Sequence, residues 1–196
     1  MTSSGQAAGQ LDEGFVVPRR QLASISGETV SIPDGEAFVH LQLRRFAGCP
    51  ICNLHLRSLA ERYDEIAAAG IREIVVFHST REELARHQAD LPFAVVADPE
   101  KALYGEFGVE SSPRAVLSPK AWRPISRGLS RAARAMVAKR EPAPTKRPHG
   151  GRLGLPGDFL IASDGRVVAS KYGKHAYDQW TIDELLALAG QLQPTA

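Results

Sequence analysis

Hydrophobic and polar residues alternate along several stretches of this chain, and the alternation has two different periods. Residues 38–46, FVHLQLRRF, place apolar side chains at every second position, a spacing typical of a β-strand. Between positions 52 and 66 the apolar residues recur every three or four positions, which describes one face of an α-helix. Gly70 follows as a helix-ending residue. The pattern therefore predicts a buried strand that leads directly into an amphipathic helix.

The strand-then-helix unit repeats further along the chain. Two more strand patterns each precede a helix that starts at a capping residue, Ser79 or Thr80 in one case and Asp98 followed by Pro99 in the other. A hairpin with a turn at 163–165 and a last amphipathic helix complete the order. Strands that alternate with helices predict an α/β fold with a mixed central β-sheet flanked by helices. The predicted strands are 28–32, 38–46, 72–78, 93–97, 158–162 and 166–170, and the predicted helices start near Pro50, Arg81, Pro99 and Thr181.

Two segments fall outside this pattern. Residues 1–24 begin with a stretch rich in Gly, Ser and Gln, and such a composition cannot bury a core. We therefore predict a flexible N-terminal tail there and a single domain over 25–196. Residues 110–155 are rich in Pro, Arg and Ala and interrupt the order before the C-terminal hairpin. We interpret them as an insert within the domain.

The insert carries an unusual charge. From Arg114 to Arg152 there are eleven Lys or Arg residues and one acid, Glu141, so this stretch has a formal charge of +10 while the whole chain has +2. A basic segment can bind nucleic acid, an anionic membrane surface or an acidic partner. Because Trp122 is its one aromatic residue, a solvated basic face is the simpler interpretation. We expect no membrane or nucleic-acid binding, and a non-enzymatic binding module that uses the insert stays as an alternative.

The composition of the chain and the lengths of its apolar runs indicate a cellular compartment. No apolar run reaches the roughly 18–20 residues of a membrane-spanning helix, and the N-terminal residues lack the basic and apolar regions of a secretory signal. We expect a cytoplasmic protein. Thiols stay reduced in that compartment, so paired cysteines there are more typical of catalysis or metal binding than of a permanent disulfide.

Cys49 and Cys52 are the only cysteines of the chain, and they sit where a predicted strand meets a predicted helix. A helix N-terminus offers unpaired N–H groups and a positive dipole end, which favour an anion such as a thiolate. Arg44 or Arg45 adds positive charge if it reaches the sulfur, so we predict a Cys49 pKa below the ordinary ~8.5. Cys49 is then the attacking thiolate, partly open to water, and Cys52 can close a disulfide with it.

Two other interpretations of the pair stay open. The cysteines could be half of a zinc site with His55 as a further ligand, but zinc needs four ligands, and the other five histidines are scattered singly along the chain. The thiols could also be inert core residues. The redox interpretation best accounts for a proline-containing Cys-x-x-Cys directly before a helix, so we predict no metal and no organic cofactor.

The sequence resembles a known family. Its element order, with 49-CPIC-52 after a strand, is similar to the thioredoxin fold. The segments 98-DPEKALYGEFGV-109 and 156-PGDFLIASDGRVV-168 resemble the peroxiredoxin branch of that fold, the AhpC/TSA antioxidant enzymes. The likeness spans about residues 25–190 and is greatest to peroxiredoxin-like proteins with a Cys-x-x-Cys. It implies a thioredoxin-like three-layer fold with the basic insert before the C-terminal β-hairpin.

The resemblance also implies roles for individual residues. Cys49 matches the attacking or peroxidatic cysteine, and Cys52 matches the resolving one. Pro156 matches the proline that is usually cis in this fold and faces the disulfide. Gly173 and His175, after the hairpin, would lie on a loop near the same crevice. We therefore predict Cys49, Cys52 and Pro156 as the catalytic site.

The sequence departs from the peroxiredoxin pattern Pro-x-x-x-Thr-x-x-Cys, since Gln42 and Phe46 stand at the proline and threonine positions. A phenylalanine ring cannot donate a hydrogen bond to a peroxide, although Arg44, Arg45 or Arg114 could bind it instead. We predict a thiol–disulfide oxidoreductase with a redox-active disulfide, and the alternative is a thiol-dependent peroxidase acting on hydrogen peroxide or alkyl hydroperoxides. The implied partners are a protein disulfide or a peroxide, an external thiol reductant and, as an open option, a second copy in a homodimer.

Overall fold

The computed structural model describes residues 9–109, 126, 127, 130, 134 and 151–192. The order of elements in this part of the chain is that predicted from the hydrophobic periodicity, with one additional strand at the start. The strands are β1 (Arg20–Ala23), β2 (Thr29–Ile32), β3 (Phe38–Arg44), β4 (Ile71–Phe77), β5 (Ala94–Ala97), β6 (Gly157–Ile161) and β7 (Val167–Tyr172). The helices are α1 (Pro50–Glu61), α2 (Tyr63–Ala68), α3 (Arg81–His87), α4 (Ala102–Glu106) and α5 (Ile182–Leu192).

The central sheet has five strands in the order β5-β4-β3-β6-β7. β3, β4 and β5 run parallel to one another, while β6 is antiparallel to β3 and β7 is antiparallel to β6. The sheet is therefore mixed, as predicted. β3 is its central strand, so the loop that follows Arg44 leaves from the middle of one sheet edge.

Alternation along β3 divides the core into two parts. Val39, Leu41 and Leu43 face a cluster that includes side chains from α4 and from the β1–β2 pair. The opposite face is covered by apolar residues of α1, α2, α3 and α5. The sheet is thus the middle layer of three, and the polar residues of β3 point to the side where α1 packs.

The long helix predicted after the cysteines is interrupted. Arg62 has φ −119° and ψ 24°, outside the helical region, so that α1 ends at Glu61 and α2 begins at Tyr63. The Arg62 guanidinium forms ion pairs with Glu65 and Asp183. The predicted apolar face survives the break, because α2 continues to bury Ile66.

The structure confirms one predicted helix start and moves another along the chain. Of the two predicted caps, Thr80 is the one that caps α3: its hydroxyl accepts from the Glu83 N–H, and the Glu83 carboxylate accepts from the Thr80 N–H. The helix predicted from Pro99 begins only at Ala102. Asp98 still serves this start, since its carboxylate accepts from the N–H groups of Ala102 and Leu103.

The predicted N-terminal tail extends too far. β1 pairs with β2 along its whole length, Val17 is 2% exposed, and the Val17 N–H donates to the Gly165 carbonyl at 2.9 Å. The chain from about Phe15 onward therefore belongs to the packed body. Most of the insert predicted at 110–155 lies outside the described residues. No helix in the described part of the chain is long and apolar enough to cross a bilayer.

Candidate active site

The cysteine pair lies at the N-terminus of α1, immediately after the central strand. Cys49 is the N-cap residue and Pro50 is the first residue of the helix, where a missing N–H costs nothing. The Asn53 N–H donates to the Cys49 carbonyl at 2.9 Å, which begins the helical hydrogen bonding. The predicted strand-end and helix-start placement is therefore the observed one.

Three contacts from neighbouring elements fix the turn around the cysteines. The Ala47 N–H donates to the Ser79 hydroxyl at 3.0 Å. Gly48 has φ +69°, and its Cα faces the His87 ring so closely that a Cβ there would lie 2.7 Å from Cε1. On the far side of the pair, Gln88 Nε2 donates to Asn53 Oδ1 at 2.6 Å. The C-terminal end of α3 thus holds the cysteine turn on both sides.

Both sulfurs are in the reduced state and both are buried. Cys49 is 1% exposed and Cys52 is 2% exposed, so the prediction that Cys49 is partly open to water is wrong for this conformation. The two side chains belong to the apolar cluster under α1, with Phe46 and Leu56 among their neighbours. A substrate reaches them only after a movement of the surrounding structure.

The two thiols have opposite acid–base character. Burial raises the pKa of Cys49, but the hydrogen bond from the Cys52 thiol, the Arg45 charge and the backbone N–H groups at Cys52 and Ile51 outweigh it and lower the pKa to about 6. Burial, reinforced by the neighbouring Cys49, raises the pKa of Cys52 well above its ordinary value. At neutral pH the pair therefore consists of a Cys49 thiolate that accepts a hydrogen bond from a Cys52 thiol.

Of the two adjacent arginines, Arg45 is the one that reaches the thiolate. Its Nη1 donates to the Cys49 Sγ at 3.7 Å, and its guanidinium lies 5.4 Å from the centre of the Phe46 ring. Its Nη2 donates to the carbonyl of Arg152. Arg45 is 3% exposed, so its charge acts on the sulfur with little screening by water.

Arg44 instead belongs to a buried polar cluster beneath α1. It is fully buried and pairs with Asp158 at 2.6 Å. His40 lies between two carboxylates, with Nδ1 2.9 Å from Glu73 and Nε2 3.0 Å from Asp158. Gln42 bridges the cluster, since it donates to Glu73 and accepts from Arg44. Five polar side chains from β3, β4 and β6 thus pair with one another inside the core, and among the described residues Arg44 Nε has no hydrogen-bond partner.

Charge balance explains why this cluster is tolerated. Burial lowers the pKa of His40, but Glu73 and Asp158 outweigh it and raise the pKa to about 9. Burial raises the pKa of Asp158, while the Arg44 and His40 charges hold it well below its usual range. Two cations therefore face two carboxylates. Sequence analysis missed this cluster, and the signal was the polar alternation of His40, Gln42 and Arg44 along β3.

Pro156 lies next to the first residue of β6 and is buried. Its carbonyl accepts from the Gly173 N–H at 2.9 Å, so Gly173 is near it as predicted. The Leu155–Pro156 bond is trans, which corrects the expected cis geometry; the cis bond among the described residues is at Ile32–Pro33. Pro156 lines a cavity of about 580 Å³ that neither cysteine lines. The resemblance identified the strand but not the local geometry or a contact with the sulfurs.

His175 and His55, two other residues named in the sequence analysis, are held by contacts within the fold. His175 Nδ1 accepts from the Tyr177 N–H within the same turn. His55 is buried with its ring edge-on to Tyr177, and burial, followed by the Arg44 charge, lowers the pKa of His55 to about 3. No group of three or more His, Cys, Asp or Glu side chains among the described residues is arranged to hold a metal ion.

The strand ends beside the site are tied together by Tyr104. Its hydroxyl donates to the Val76 carbonyl at 3.0 Å and contacts the Arg44 carbonyl, while the His78 ring packs edge-on against it at 5.6 Å. Tyr104 is a core residue, since it is 5% exposed. The sequence did not indicate that its hydroxyl would also hold the carboxyl ends of β3 and β4.

Comparison with a protein family supports the redox interpretation. Residues 58–175, more than half of the chain, match the family described as AhpC/TSA antioxidant enzyme. The matched segment begins after Cys52, so the assignment rests on the body of the domain, and the role of the cysteine pair is argued from its own geometry. No functionally curated protein matches the sequence.

Solved structures share the fold at low sequence identity. Peroxidoxin BcpB of Mycobacterium tuberculosis superposes with a TM-score of 0.64 and 13% identity, covering 94% of this chain and 99% of that one. Peroxiredoxin 6 of Arenicola marina gives 0.62 and 16%, covering 93% and 73%. A protein described as the thiol:disulfide interchange protein DsbE, from Chlorobium tepidum, gives 0.55 and 19%, covering 92% and 100%. The predicted thioredoxin-like fold class is confirmed.

Proposed function

The chain belongs to the AhpC/TSA antioxidant enzyme family, and from that premise we propose that it is a thiol–disulfide oxidoreductase in which Cys49 attacks and Cys52 resolves. One observation carries the proposal: the two thiols differ in pKa although they are neighbours. The Cys49 pKa is lowered to about 6, and the Cys52 pKa is raised well above its ordinary value. A low-pKa sulfur beside a protonated one is what a nucleophile and its resolving partner require.

The reaction consists of two thiol–disulfide exchanges. The Cys49 thiolate attacks one sulfur of a substrate disulfide, a new S–S bond joins it to that sulfur, and the other substrate sulfur leaves as a thiolate. The Cys52 thiol then gives its proton to that leaving thiolate or to water, and its sulfur attacks Cys49. The mixed disulfide breaks, the second substrate thiolate leaves, and a Cys49–Cys52 disulfide remains. The substrate gains two electrons, and an external dithiol returns them to the protein.

The surroundings of the pair support this order of events. While Cys49 is anionic, it accepts a hydrogen bond from Cys52 and keeps that thiol protonated. Once Cys49 has entered a mixed disulfide, the negative charge beside Cys52 is gone. The pKa of Cys52 then falls, because one of the causes that raised it has been removed. Attack by Cys49 therefore itself prepares Cys52 for the second step.

A peroxidase is the second candidate, and Arg45 is the observation that favours it. A guanidinium 3.7 Å from the sulfur can bind a peroxide oxygen as well as stabilise the thiolate. In that reaction Cys49 takes one peroxide oxygen and becomes a sulfenic acid, the other oxygen leaves as water or an alcohol, and Cys52 condenses with release of water. Phe46 argues against efficiency, since its buried ring offers no donor to the peroxide.

Thiol counting by mass spectrometry, combined with stopped-flow kinetics, distinguishes the two candidates. The reduced protein is mixed with a peptide disulfide in one experiment and with hydrogen peroxide in the other. We expect rapid loss of both thiols with the disulfide and a peroxide rate near that of a free thiol. Cys49→Ser abolishes the reaction, and Cys52→Ser accumulates a mixed disulfide at Cys49. A peroxide rate far above that of a free thiol would assign the peroxidase instead, and a reactive Cys49→Ser variant would overturn both.

The proposed reaction also implies partners and a cellular compartment. The cycle needs a protein disulfide as substrate and an external thiol as reductant, and it fits a reducing compartment such as the cytoplasm. A homodimer is compatible with it. The binding-module alternative depends on the insert, most of which lies outside the described residues.

A further inference from the structure

The cysteine site is closed in the described conformation, and one short segment contacts the arginine beside its attacking sulfur. Residues 151–155, here called the cover segment, connect the insert to β6. Gly151, Arg152 and Leu153 are exposed, whereas Gly154 is buried against the site. Because Cys49 and Arg45 are 1% and 3% exposed, no substrate can touch the sulfur and its arginine together until part of this surface moves.

The cover segment contacts the site through its backbone atoms. The Arg152 carbonyl accepts from Arg45 Nη2. At Gly154 a Cβ would lie 3.1 Å from His78 Nε2 and 3.7 Å from Arg45 Cγ. A Cβ at that position would crowd the His78 ring and make only an ordinary contact with Arg45, so the glycine permits the close approach of the segment to His78.

Arg45 is therefore shared between the nucleophile and the cover. Its Nη1 donates to the Cys49 sulfur at 3.7 Å, and its Nη2 donates to a carbonyl oxygen. A guanidinium presents its donors in a rigid planar fork. One guanidinium therefore binds both the thiolate and a carbonyl oxygen.

We propose that the Arg152 carbonyl is an internal substitute for a substrate oxygen, and that the cover segment is an autoinhibitory contact displaced by the main chain of a polypeptide disulfide. The inference rests on the proposed function, and it adds how the site is kept closed and what opens it. The occupant of the oxygen position is a main-chain carbonyl next to a glycine, so the site already accommodates polypeptide backbone. A peptide beside its disulfide supplies the same carbonyl to Arg45, whereas a peroxide is too small to replace the contacts of the whole segment.

The rate of Cys49 alkylation measures how far the cover segment blocks access to the sulfur, and it does not require catalytic turnover. Iodoacetamide serves as a small probe and a polyethylene-glycol maleimide as a large one, with the modified residue identified by mass spectrometry. The valine of Gly154→Val cannot approach His78 closely, so this variant should favour local opening of the cover segment. We expect the rate of Cys49 alkylation by the large probe to rise by about fivefold or more, and the rate with the small probe to rise by less. Leu153→Ala is the matched control, since this side chain in the same segment is 42% exposed, and its rates should stay at the wild-type values.

Hydrogen exchange on the wild-type protein provides a test that does not depend on folding of the Gly154 variant. Blocking Cys49 with a large maleimide should increase exchange at the amides of residues 152–155, and blocking it with a methylthio group should leave that exchange unchanged. Unchanged large-probe rates in folded Gly154→Val, or equal exchange after both blocking reactions, would overturn the cover. If the protein is inactive on disulfides while Cys49 alkylates as described, the proposed function fails and the cover stands.

Discussion

The His87 ring packs directly on the Cα of Gly48, the residue before the attacking cysteine. A Cβ at Gly48 would lie 2.7 Å from His87 Cε1 and 2.9 Å from both ring nitrogens. Because Gly48 also has φ +69°, the turn before Cys49 combines a left-handed backbone with a contact that only hydrogen permits. The helix α3, which ends at His87, therefore helps to determine where the nucleophile is placed.

Gly48→Ala should destabilise the protein and disturb the cysteine turn. We expect a loss of about 2 kcal/mol or more in the free energy of unfolding, from the left-handed backbone and from overpacking against the ring. Urea unfolding measures it. Gly35→Ala is the matched control, because Gly35 has φ +93° with nothing within 4 Å of its Cβ position and so carries only the backbone part. Adding His87→Ala to Gly48→Ala should reduce the loss of stability to that of Gly35→Ala. Equal losses in Gly48→Ala and Gly35→Ala would show that the ring contact has no effect.

Arg45→Met should raise the pKa of Cys49 from about 6 towards the ~8.5 of an unperturbed thiol. The reason is that Arg45 is the cation that donates to the sulfur, and methionine keeps the apolar stem without the charge. The pH dependence of iodoacetamide alkylation, or the ultraviolet absorbance of the thiolate, measures this pKa. Arg57→Met, on the partly exposed side of α1, should leave the profile unchanged. An unchanged profile in Arg45→Met would remove Arg45 from the account of the low pKa.

Asp158→Asn should cost about 3–5 kcal/mol, since it leaves the buried Arg44 and the protonated His40 without a shared carboxylate. Both partners contact Asp158 Oδ1, at 2.6 Å and 3.0 Å. Denaturant unfolding at neutral pH gives the value. Asp183→Asn removes an exposed partner of Arg62 and should cost less than about 1 kcal/mol. Comparable losses in the two variants would mean that the buried cluster contributes no more than a surface pair.

Stability between pH 6.5 and 9 should reflect two opposing groups. The pKa of His40 is raised from 6.5 to about 9, so its stabilising effect is complete below pH 6.5 and is lost as the pH rises through 9. The pKa of Cys49 is lowered from 9 to about 6, so its effect is complete above pH 9 and is lost as the pH falls through 6. The two contributions therefore partly cancel in the wild-type protein.

A background with both Cys49→Ser and Cys52→Ser isolates the histidine, because neither thiol then titrates. Its free energy of unfolding should fall by about 3 kcal/mol between pH 6.5 and 9.5, following the linkage between a pKa shift and stability. Introducing His40→Gln into the same background should flatten that dependence. A steep fall that persists after His40→Gln would assign the pH dependence to another group.

The local sequence determined much of the architecture. Alternation along residues 38–44, the capping residue Thr80 and the hairpin turn at 163–165 are decided by neighbours in the chain, because period and capping are short-range properties. The same holds for the cysteine pair at the start of α1, since a proline at the first helical position follows directly from its missing N–H. These elements are present where they were predicted, within a few residues.

Tertiary packing decided the chemistry of the site. Neither Arg44 nor Arg45 is marked by its sequence neighbours as the one that reaches Cys49; Arg44 is drawn away by Asp158, a residue brought beside it only when β6 pairs with β3. The contact between Arg45 and the Arg152 carbonyl likewise joins residues that are distant in sequence. Sequence determined which residues could react, and long-range pairing between strands and segments determined their charge, burial and access, because these properties depend on atoms that are neighbours only in the folded chain.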